Sequence, residues 1–236
     1  MVRPSSRTLV LFVVAAVIGV LTAAEPGSAG KTTIDFEAFP PGQVPPGFST
    51  AVTGGGGPAS WIVQDDPSAP SGKRVLTQTS ADPTGKRFTL CVYEGTTGRD
   101  VDVSVRFKPI AGKVDQAAGI VWRYRDDGNY YLVRANALEG NVVLYKVEGG
   151  RRTDLKPVGA GLLTYGKKVE VPSGKWGSLR LVAIGKQFAV HLNGQHLFDV
   201  EDETFTTAGK VGLWTKADSV TSLDDLTIEV IDRPQS

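Results

Sequence analysis

The chain has almost none of the residues that cross-link small secreted domains or bind transition metals in them. Its 236 residues include one cysteine, one methionine and two histidines. A single cysteine excludes an internal disulfide and a cysteine-rich zinc cluster. Because Cys91 lies among Phe88, Leu90 and Val92, it is interpreted as a buried small hydrophobic residue. A chain of this length can bury a large core without such cross-links, and one main domain is expected.

The sequence also lacks an excess of charge of either sign. The formal net charge is +1, which gives no reason to expect a nucleic-acid partner. We find no nucleophile-elbow serine motif, no phosphate-binding loop, no dinucleotide fingerprint and no EF-hand loop. Stretches with helical periodicity are scarce. These absences exclude the common nucleotide-dependent and serine-hydrolase classes.

Long apolar runs are absent after the first two dozen residues. The one run, Leu9–Leu21, has thirteen residues and is short for a membrane span of about 20. Arg3 and Arg7 precede it and small residues follow, so it predicts a signal peptide, with an uncleaved anchor as the alternative. We therefore expect a secreted or periplasmic protein with no stable membrane anchor after cleavage. The predicted organisation is a signal peptide over 1–24, a flexible lead-in over 25–31, the domain over 32–231 and a tail over 232–236.

What the sequence does contain is a series of short alternating runs separated by turn residues. In the run Asp100–Lys108, Val101, Val103, Val105 and Phe107 share one face. About a dozen such runs predict an all-β fold, an antiparallel two-sheet β-sandwich closed as a jelly roll. In that arrangement the first and last strands are expected to lie side by side.

The segment Gly119–Ala137 predicts the central hairpin. A two-residue turn at Asp127-Gly128 would place Asp126 opposite Asn129 and Arg125 opposite Tyr130. One face of this hairpin is then a core face, made of Ile120, Trp122, Tyr124, Tyr131, Val133 and Ala135. The other face carries Val121, Arg123, Arg125, Tyr130, Leu132, Arg134 and Asn136.

The polar residues of this second face are candidate ligand-binding residues. Guanidinium and amide groups donate paired hydrogen bonds to vicinal sugar hydroxyls, and a tyrosine ring offers a stacking surface. We expect Asp102, Ser104 and Arg106 of a neighbouring strand to complete the site. The alternative is that all these side chains are solvated on a sheet with one wet face. The candidate residues are Arg123, Arg125, Tyr130, Arg134, Asn136, Asp102 and Arg106.

Acidic residues near the two termini are candidate calcium ligands. If the terminal strands pair, Asp35 and Glu37 approach Asp224 and Asp225. Carboxylate oxygens are the ligands that calcium prefers, so a structural calcium ion is a possible cofactor; the alternative is a set of solvated carboxylates.

Two other constellations are weaker candidates. Asp199-Val200-Glu201-Asp202-Glu203 approaches the spaced acidic motif of retaining glucanases but departs from it in order, and is interpreted as a solvated acidic turn. His191 and His196 are expected to face each other across the Asn193-Gly194 turn. They are a candidate metal pair for which the sequence shows no third ligand, and they are interpreted instead as half-exposed spacers.

Several segments together resemble a known superfamily. They are GIVWRYRDDGNYYLVRA (119–135), VVLYKVEGG (142–150), WGSLRL (176–181), VHLNG (190–194), GKVGLWT (209–215) and DDLTIE (224–229). This pattern is similar to the concanavalin A-like lectin/glucanase superfamily. Within it, the chain resembles laminin-G-like jelly rolls such as 3-keto-disaccharide hydrolase domains and exo-glycosidase accessory domains.

The resemblance implies a sugar-related protein and leaves its activity open. The first hypothesis is a non-catalytic, monomeric domain that binds a carbohydrate or glycoconjugate. The second is a hydrolase of glycosides or 3-keto-disaccharides, with two carboxyls facing each other near Arg123. The third is a structural or protein-interaction domain of the laminin-G type.

Overall fold

The computed structural model describes residues 30–231, and within them every regular element is a β-strand. The predicted signal peptide, residues 25–29 of the predicted lead-in and the predicted tail lie outside the described residues. The first eight strands are β1 (Lys31–Ile34), β2 (Phe48–Gly54), β3 (Trp61–Asp65), β4 (Arg74–Gln78), β5 (Arg87–Gly98), β6 (Val101–Ala111), β7 (Ala117–Asp126) and β8 (Asn129–Asn136). The others are β9 (Asn141–Glu148), β10 (Arg151–Leu155), β11 (Lys167–Lys168), β12 (Gly177–Ile184), β13 (Gln187–Leu192), β14 (Gln195–Glu201), β15 (Gly209–Lys216) and β16 (Val220–Val230).

The strands form two antiparallel sheets of eight, which confirms the predicted sandwich. Sheet A has the order β14-β13-β12-β6-β16-β4-β3, with β1 also paired to β16. Sheet B has the order β10-β9-β8-β7-β15-β5-β2, with β11 paired to β9. The predicted neighbourhood of the first and last strands is confirmed, because Thr33 pairs with Thr227. Residues 30–231 contain no helix that could span a membrane.

The main core lies between the two sheets, where period-two alternation brings their apolar faces together. Val101, Val103 and Val105 of β6 are buried there, as predicted. Trp122 stacks on Tyr131 with ring centroids 5.2 Å apart and meets Phe188 of sheet A edge-on, also at 5.2 Å. The central hairpin therefore packs its aromatic face inward.

A bulge in β7 alters the register of that hairpin. Asp126 pairs with Asn129 as predicted, but Trp122 then pairs with Tyr131. Two extra residues are therefore accommodated in β7, and the predicted pairing of Arg125 with Tyr130 is wrong. Arg123 has a φ of 46°, in the left-handed region. Past the bulge Tyr124 packs in the cluster on the opposite face, against Tyr130, so its predicted place in the main core is also wrong.

The outer face of sheet B is largely apolar, not polar as predicted. It buries a second cluster formed by Phe88, Leu90, Val92, Ala117, Val121, Tyr130, Leu132, Val143, Tyr145, Val147 and Trp214. Sheet B is coiled strongly enough for opposite corners to meet. The Thr53 hydroxyl of β2 is 2.8 Å from the Tyr130 hydroxyl of β8, and the Arg152 guanidinium of β10 lies 4.5 Å from the ring centre of Phe88 in β5. This coiling makes the outer face of sheet B concave.

Candidate functional site

Arg123 does not line an outer face. Its guanidinium donates to three main-chain oxygens, those of Arg99 (2.8 Å), Phe205 (2.8 Å) and Gly185 (2.6 Å), and lies 3.4 Å from Asp100 Oδ1. It is 1% exposed. The left-handed bulge turns this side chain in between the sheets, so its predicted place on the binding face is wrong. It ties the β5–β6 and β12–β13 turns to the segment that precedes β15.

Four other candidates are also apart from a common groove. Arg125 is exposed and donates to Thr207 Oγ1 (2.8 Å). Tyr130 is buried, and burial raises its pKa to about 12. The expectation that β6 neighbours the hairpin is wrong, because β6 belongs to sheet A. Its Asp102 pairs with Arg180, and Arg106 faces Ser178 and Asp224 in register.

The two remaining candidates, Arg134 and Asn136, lie together on the concave side of sheet B, where β8 ends. A continuous polar network surrounds them, and we call it the Arg134 network. Its members are Asp115, Arg134, Asn136, Glu139, Asn141, Tyr145, Tyr165 and Lys216.

At its centre the Arg134 guanidinium contacts only side chains. Nη1 donates to Asn141 Oδ1, and Nη2 lies 2.7 Å from Glu139 Oε2, 3.1 Å from the Tyr145 hydroxyl and 3.2 Å from the Tyr165 hydroxyl. Nε has no hydrogen-bond partner in the part of the chain that the structure describes. Four side chains therefore hold this guanidinium.

Asn136 extends the network to a second carboxylate. Its Nδ2 donates to Asp115 Oδ1 and to Glu139 Oε1 (3.2 Å), while its Oδ1 accepts from the main-chain N–H of Glu139 (3.1 Å). Asp115 also forms an ion pair with Lys216. The β8–β9 turn is thereby fixed against the ends of β7 and β15, with two carboxylates on either side of one amide nitrogen.

The network is buried at its base and open at its rim. Tyr165 is 43% exposed and the Glu139 side chain is 35% exposed, whereas Arg134 is 1% exposed. Burial alone would raise the pKa of Glu139, but the charge and hydrogen bonds of Arg134 outweigh it and lower that pKa. Burial raises the pKa of Tyr145. At neutral pH the rim therefore offers a carboxylate acceptor, a phenol and an aromatic face.

The hydrogen-bond partners of a buried arginine indicate whether it has a structural role or belongs to a binding site. Arg87 donates to the main-chain oxygens of Gly57 (2.9 Å), Ala217 (3.0 Å) and Pro58 (2.6 Å), much as Arg123 does with its own three carbonyls. Such contacts fasten loops. Among the buried arginines of residues 30–231, only Arg134 has hydrogen bonds to side chains alone, and one of those side chains, Tyr165, is exposed. We therefore place the candidate site there.

Sequence reasoning did not place Tyr145, Tyr165, Asn141, Asp115 or Lys216 in the site. Tyr145 alternates with Val143 and Val147 along β9, and a phenol at an otherwise apolar position was the available signal. Tyr165 belongs to the irregular segment before β11, where no periodicity marks it.

The predicted calcium ligands lie beside β16 of sheet A, where the partner of that strand changes from β4 to β1. Ser71 donates its N–H to Asp224 Oδ2 (3.2 Å) and its hydroxyl to Asp225, while Glu37 Oε1 accepts from the main-chain N–H of Lys73 (2.7 Å) and of Arg74. Burial, with the charges of Asp225 and Asp35, raises the pKa of Asp224 to about 6. The oxygens suit calcium, but between residues 30 and 231 no three acidic, histidine or cysteine side chains converge as a metal site. Calcium therefore stays a prediction.

If calcium binds there, the melting temperature should be higher in excess calcium than in chelator by about 5–10 °C, from saturation at about 100 times Kd. Asp224→Asn should abolish that difference, since it removes the buried carboxylate. Differential scanning calorimetry of both proteins in both buffers measures it. Equal melting temperatures of the unsubstituted protein in calcium and in chelator would contradict the prediction.

The histidine pair follows the predicted geometry, and Glu201 and Glu203 of the acidic turn are exposed as predicted. His191 faces His196 with ring centroids 5.2 Å apart, and His196 Nε2 lies 3.0 Å from Asp199 Oδ1. Glu201 and Glu203 at the end of β14 lie 3.5 Å and 3.9 Å from Lys186 Nζ. Asp202 instead turns inward, where it accepts a hydrogen bond from the Tyr131 hydroxyl.

The two coiled antiparallel sheets define the class of fold, a jelly-roll β-sandwich of the concanavalin A-like type. No protein-family model and no curated protein sequence matches it.

Solved structures do match it at low identity. The chain is similar to the carbohydrate-binding module CBM66 from Bacillus subtilis, with 19% identity, a TM-score of 0.60, and coverage of 78% of this chain and 95% of that one. It is also similar to the cellulose-induced protein Cip1, with 14% identity, a TM-score of 0.61, and coverage of 87% and 100%. A Bacillus subtilis protein of unknown function with a galectin-like fold gives 12% identity, a TM-score of 0.50, and coverage of 79% and 90%.

Proposed function

We propose that this protein is a secreted or periplasmic domain that binds a carbohydrate or glycoconjugate at the Arg134 network without cleaving it. The observation that carries the proposal is the side-chain shell of Arg134. A buried guanidinium is held there between a part-exposed carboxylate and two tyrosines, one of which reaches the surface.

This arrangement has the groups that sugar recognition requires. Glu139 can accept from hydroxyl groups, the Tyr165 hydroxyl can donate or accept, and its ring can pack on the C–H face of a pyranose or furanose. The buried side chains of the Arg134 network are already ordered by hydrogen bonds, so little conformational entropy is lost on binding. The likeness of the fold to CBM66, a carbohydrate-binding module, supports the same ligand class.

A glycan array followed by calorimetry with the best saccharide tests the proposal. Tyr165→Ala should lower the affinity by about tenfold to a hundredfold, because it removes the stacking face and one hydroxyl. Arg125→Ala removes an exposed arginine outside the network and should leave the affinity unchanged. No binding to any glycan, or an affinity that depends on Arg125 and not on Tyr165, would refute the proposed site.

One observation favours a hydrolase as the second candidate. The predicted pair of carboxyls near Arg123 is not found in residues 30–231, where Asp100 is the one acidic partner of that arginine. Asp115 and Glu139, however, both contact Asn136 Nδ2. Retaining glycosidases place two carboxyls about 5 Å apart, and a shared nitrogen imposes a comparable spacing.

Chromogenic aryl glycosides test this second candidate. Hydrolysis by the unsubstituted protein that Glu139→Gln abolishes even at saturating saccharide would establish an enzyme in place of a binding domain. Turnover by the unsubstituted protein that equals the buffer rate would remove the hydrolase.

A further inference from the structure

The loop between β10 and β11 carries two leucines at the tip of a tight turn. The main-chain N–H of Thr164 donates to Gly161 O (2.9 Å), which makes Leu162 and Leu163 the two central residues of the turn. Leu162 is 87% exposed and Leu163 is 99% exposed. No other large hydrophobic side chain in residues 30–231 is as exposed.

These residue types are unusual at such a position. Central turn positions favour glycine, proline, asparagine, aspartate and serine, because those residues suit the turn conformation or hydrogen-bond to it. Single exposed leucines are common on protein surfaces, but two in succession at a projecting tip are not explained by folding. Val158, in the preceding turn of the same loop, is 61% exposed as well.

The loop is fastened to the sandwich at its base. Lys156 Nζ donates to Thr164 O (2.8 Å) and to Asp154 Oδ2 (2.6 Å), which clamps the two arms of the loop together. The Tyr165 hydroxyl, directly after the turn, contacts Arg134 Nη2 at 3.2 Å. The leucines therefore project from a supported base.

The stretch of sequence that carries the tip is basic. Residues 151–170 contain five basic and two acidic side chains, whereas the whole chain has a net charge of only +1. Lys167 and Lys168 lie four and five residues after Leu163 and are exposed, and Lys168 Nζ also donates to Glu139 O (2.9 Å). An apolar tip with lysines beside it matches the chemistry of an anionic lipid surface.

We propose that Leu162 and Leu163 insert reversibly into the headgroup and acyl boundary of an anionic bilayer, while Lys167 and Lys168 contact its phosphates. A protein partner fits less well, because a stable interface buries about 800 Å² on each side and two side chains on a narrow turn offer far less. A bilayer demands no matched shape. This contact adjoins the saccharide site, because Tyr165 follows the turn and Lys168 donates to Glu139 O, but it uses different side chains for the lipid. It is independent of any anchor that the amino-terminal apolar run would provide.

The test attaches an environment-sensitive fluorophore to Leu163→Cys in the full chain, with Ile110→Cys as the matched control on sheet A. Ile110 is 42% exposed, and Cys91 is fully buried and should not react. Vesicles of phosphatidylcholine mixed with phosphatidylglycerol should shift the emission of the label at 163 to the blue. The label at 110 should not respond, and phosphatidylcholine alone should give a much smaller shift at 163.

Substitutions supply a second measurement. Leu162→Asn with Leu163→Gly introduces residues that turns favour, so the fold should be retained. It should lower co-sedimentation of the chain with the mixed vesicles by about tenfold or more. Lys167→Gln with Lys168→Gln should lower it by less and reduce its dependence on salt.

Three results would overturn the proposal. The first is co-sedimentation while the label at 163 stays unchanged, which would assign membrane contact to another segment. The second is a blue shift at 163 that depends on protein concentration without vesicles, which would indicate contact between two copies of the chain. The third is a shift caused by soluble saccharide alone, which would make the tip part of the carbohydrate site.

Discussion

Replacing Arg123 by methionine should lower the free energy of unfolding by about 3–5 kcal/mol. The substitution removes the donors of three main-chain oxygens, those of Arg99, Phe205 and Gly185, and nothing else in the described structure is placed to replace them. It also removes the cation that lies 5.4 Å from the ring centre of Phe188. Urea unfolding measures the change, and the melting temperature should fall by about 10 °C.

Arg125→Met is the matched control, since Arg125 is exposed and makes one hydrogen bond to Thr207. It should change the free energy of unfolding by less than about 0.5 kcal/mol. If the free energy of unfolding fell by a similar amount in both variants, the contacts of Arg123 would stabilise the fold no more than those of an exposed arginine. At a temperature at which Arg123→Met is still folded, its saccharide affinity should equal that of the unsubstituted protein. A loss of affinity there would return Arg123 to the binding site.

The alternation of residues was enough to predict the sheets. In β6, Val101, Val103 and Val105 point into the core because period two and apolarity coincide, and that information is local. Trp122 and Tyr131 also keep their predicted place on the core face of the central hairpin. The bulge adds two residues to β7, an even number, so the alternation of side chains before the bulge is unchanged.

The bulge itself could not be predicted, because its cause lies elsewhere in the chain. Nothing in Trp122-Arg123-Tyr124 favours a left-handed residue. The structure places Gly209 of β15 directly against this part of β7, where a Cβ would lie 2.4 Å from the carbonyl carbon of Arg123. A close approach between two strands distant in sequence accompanies the bulge and turns a predicted ligand residue into a structural one.

The coiling of sheet B is the second feature beyond the reach of local patterns. The alternation places Val121 and Leu132 on the same face as the arginines, and a face of such mixed polarity can be exposed to solvent. Contacts such as that of Arg152 over Phe88 cover this face at one end. The other end carries the polar Arg134 network. Arg134 and Asn136 were therefore predicted on the correct face, while their partners in β9 and in the loop before β11 were not.

Glu139→Gln should lower the affinity for the saccharide by about tenfold to a hundredfold, the effect of losing hydrogen bonds to a charged group. The substitution keeps the shape of the side chain and removes its charge. It takes away the ion pair with Arg134 and the strongest acceptor at the rim. Calorimetry with the saccharide found on the glycan array measures the effect.

Glu148→Gln provides the control, because Glu148 ends the adjoining strand β9 and is exposed. Its affinity should equal that of the unsubstituted protein. Thermal unfolding of Glu139→Gln distinguishes the loss of one contact to the saccharide from a disruption of the buried part of the Arg134 network. Glu139 is about one-third exposed, and Arg134 keeps Asn141, Tyr145 and Tyr165 as partners, so the melting temperature should fall by only a few degrees. An unchanged affinity in Glu139→Gln would mean that the sugar does not contact this rim, and the ligand would then have to be sought away from Arg134.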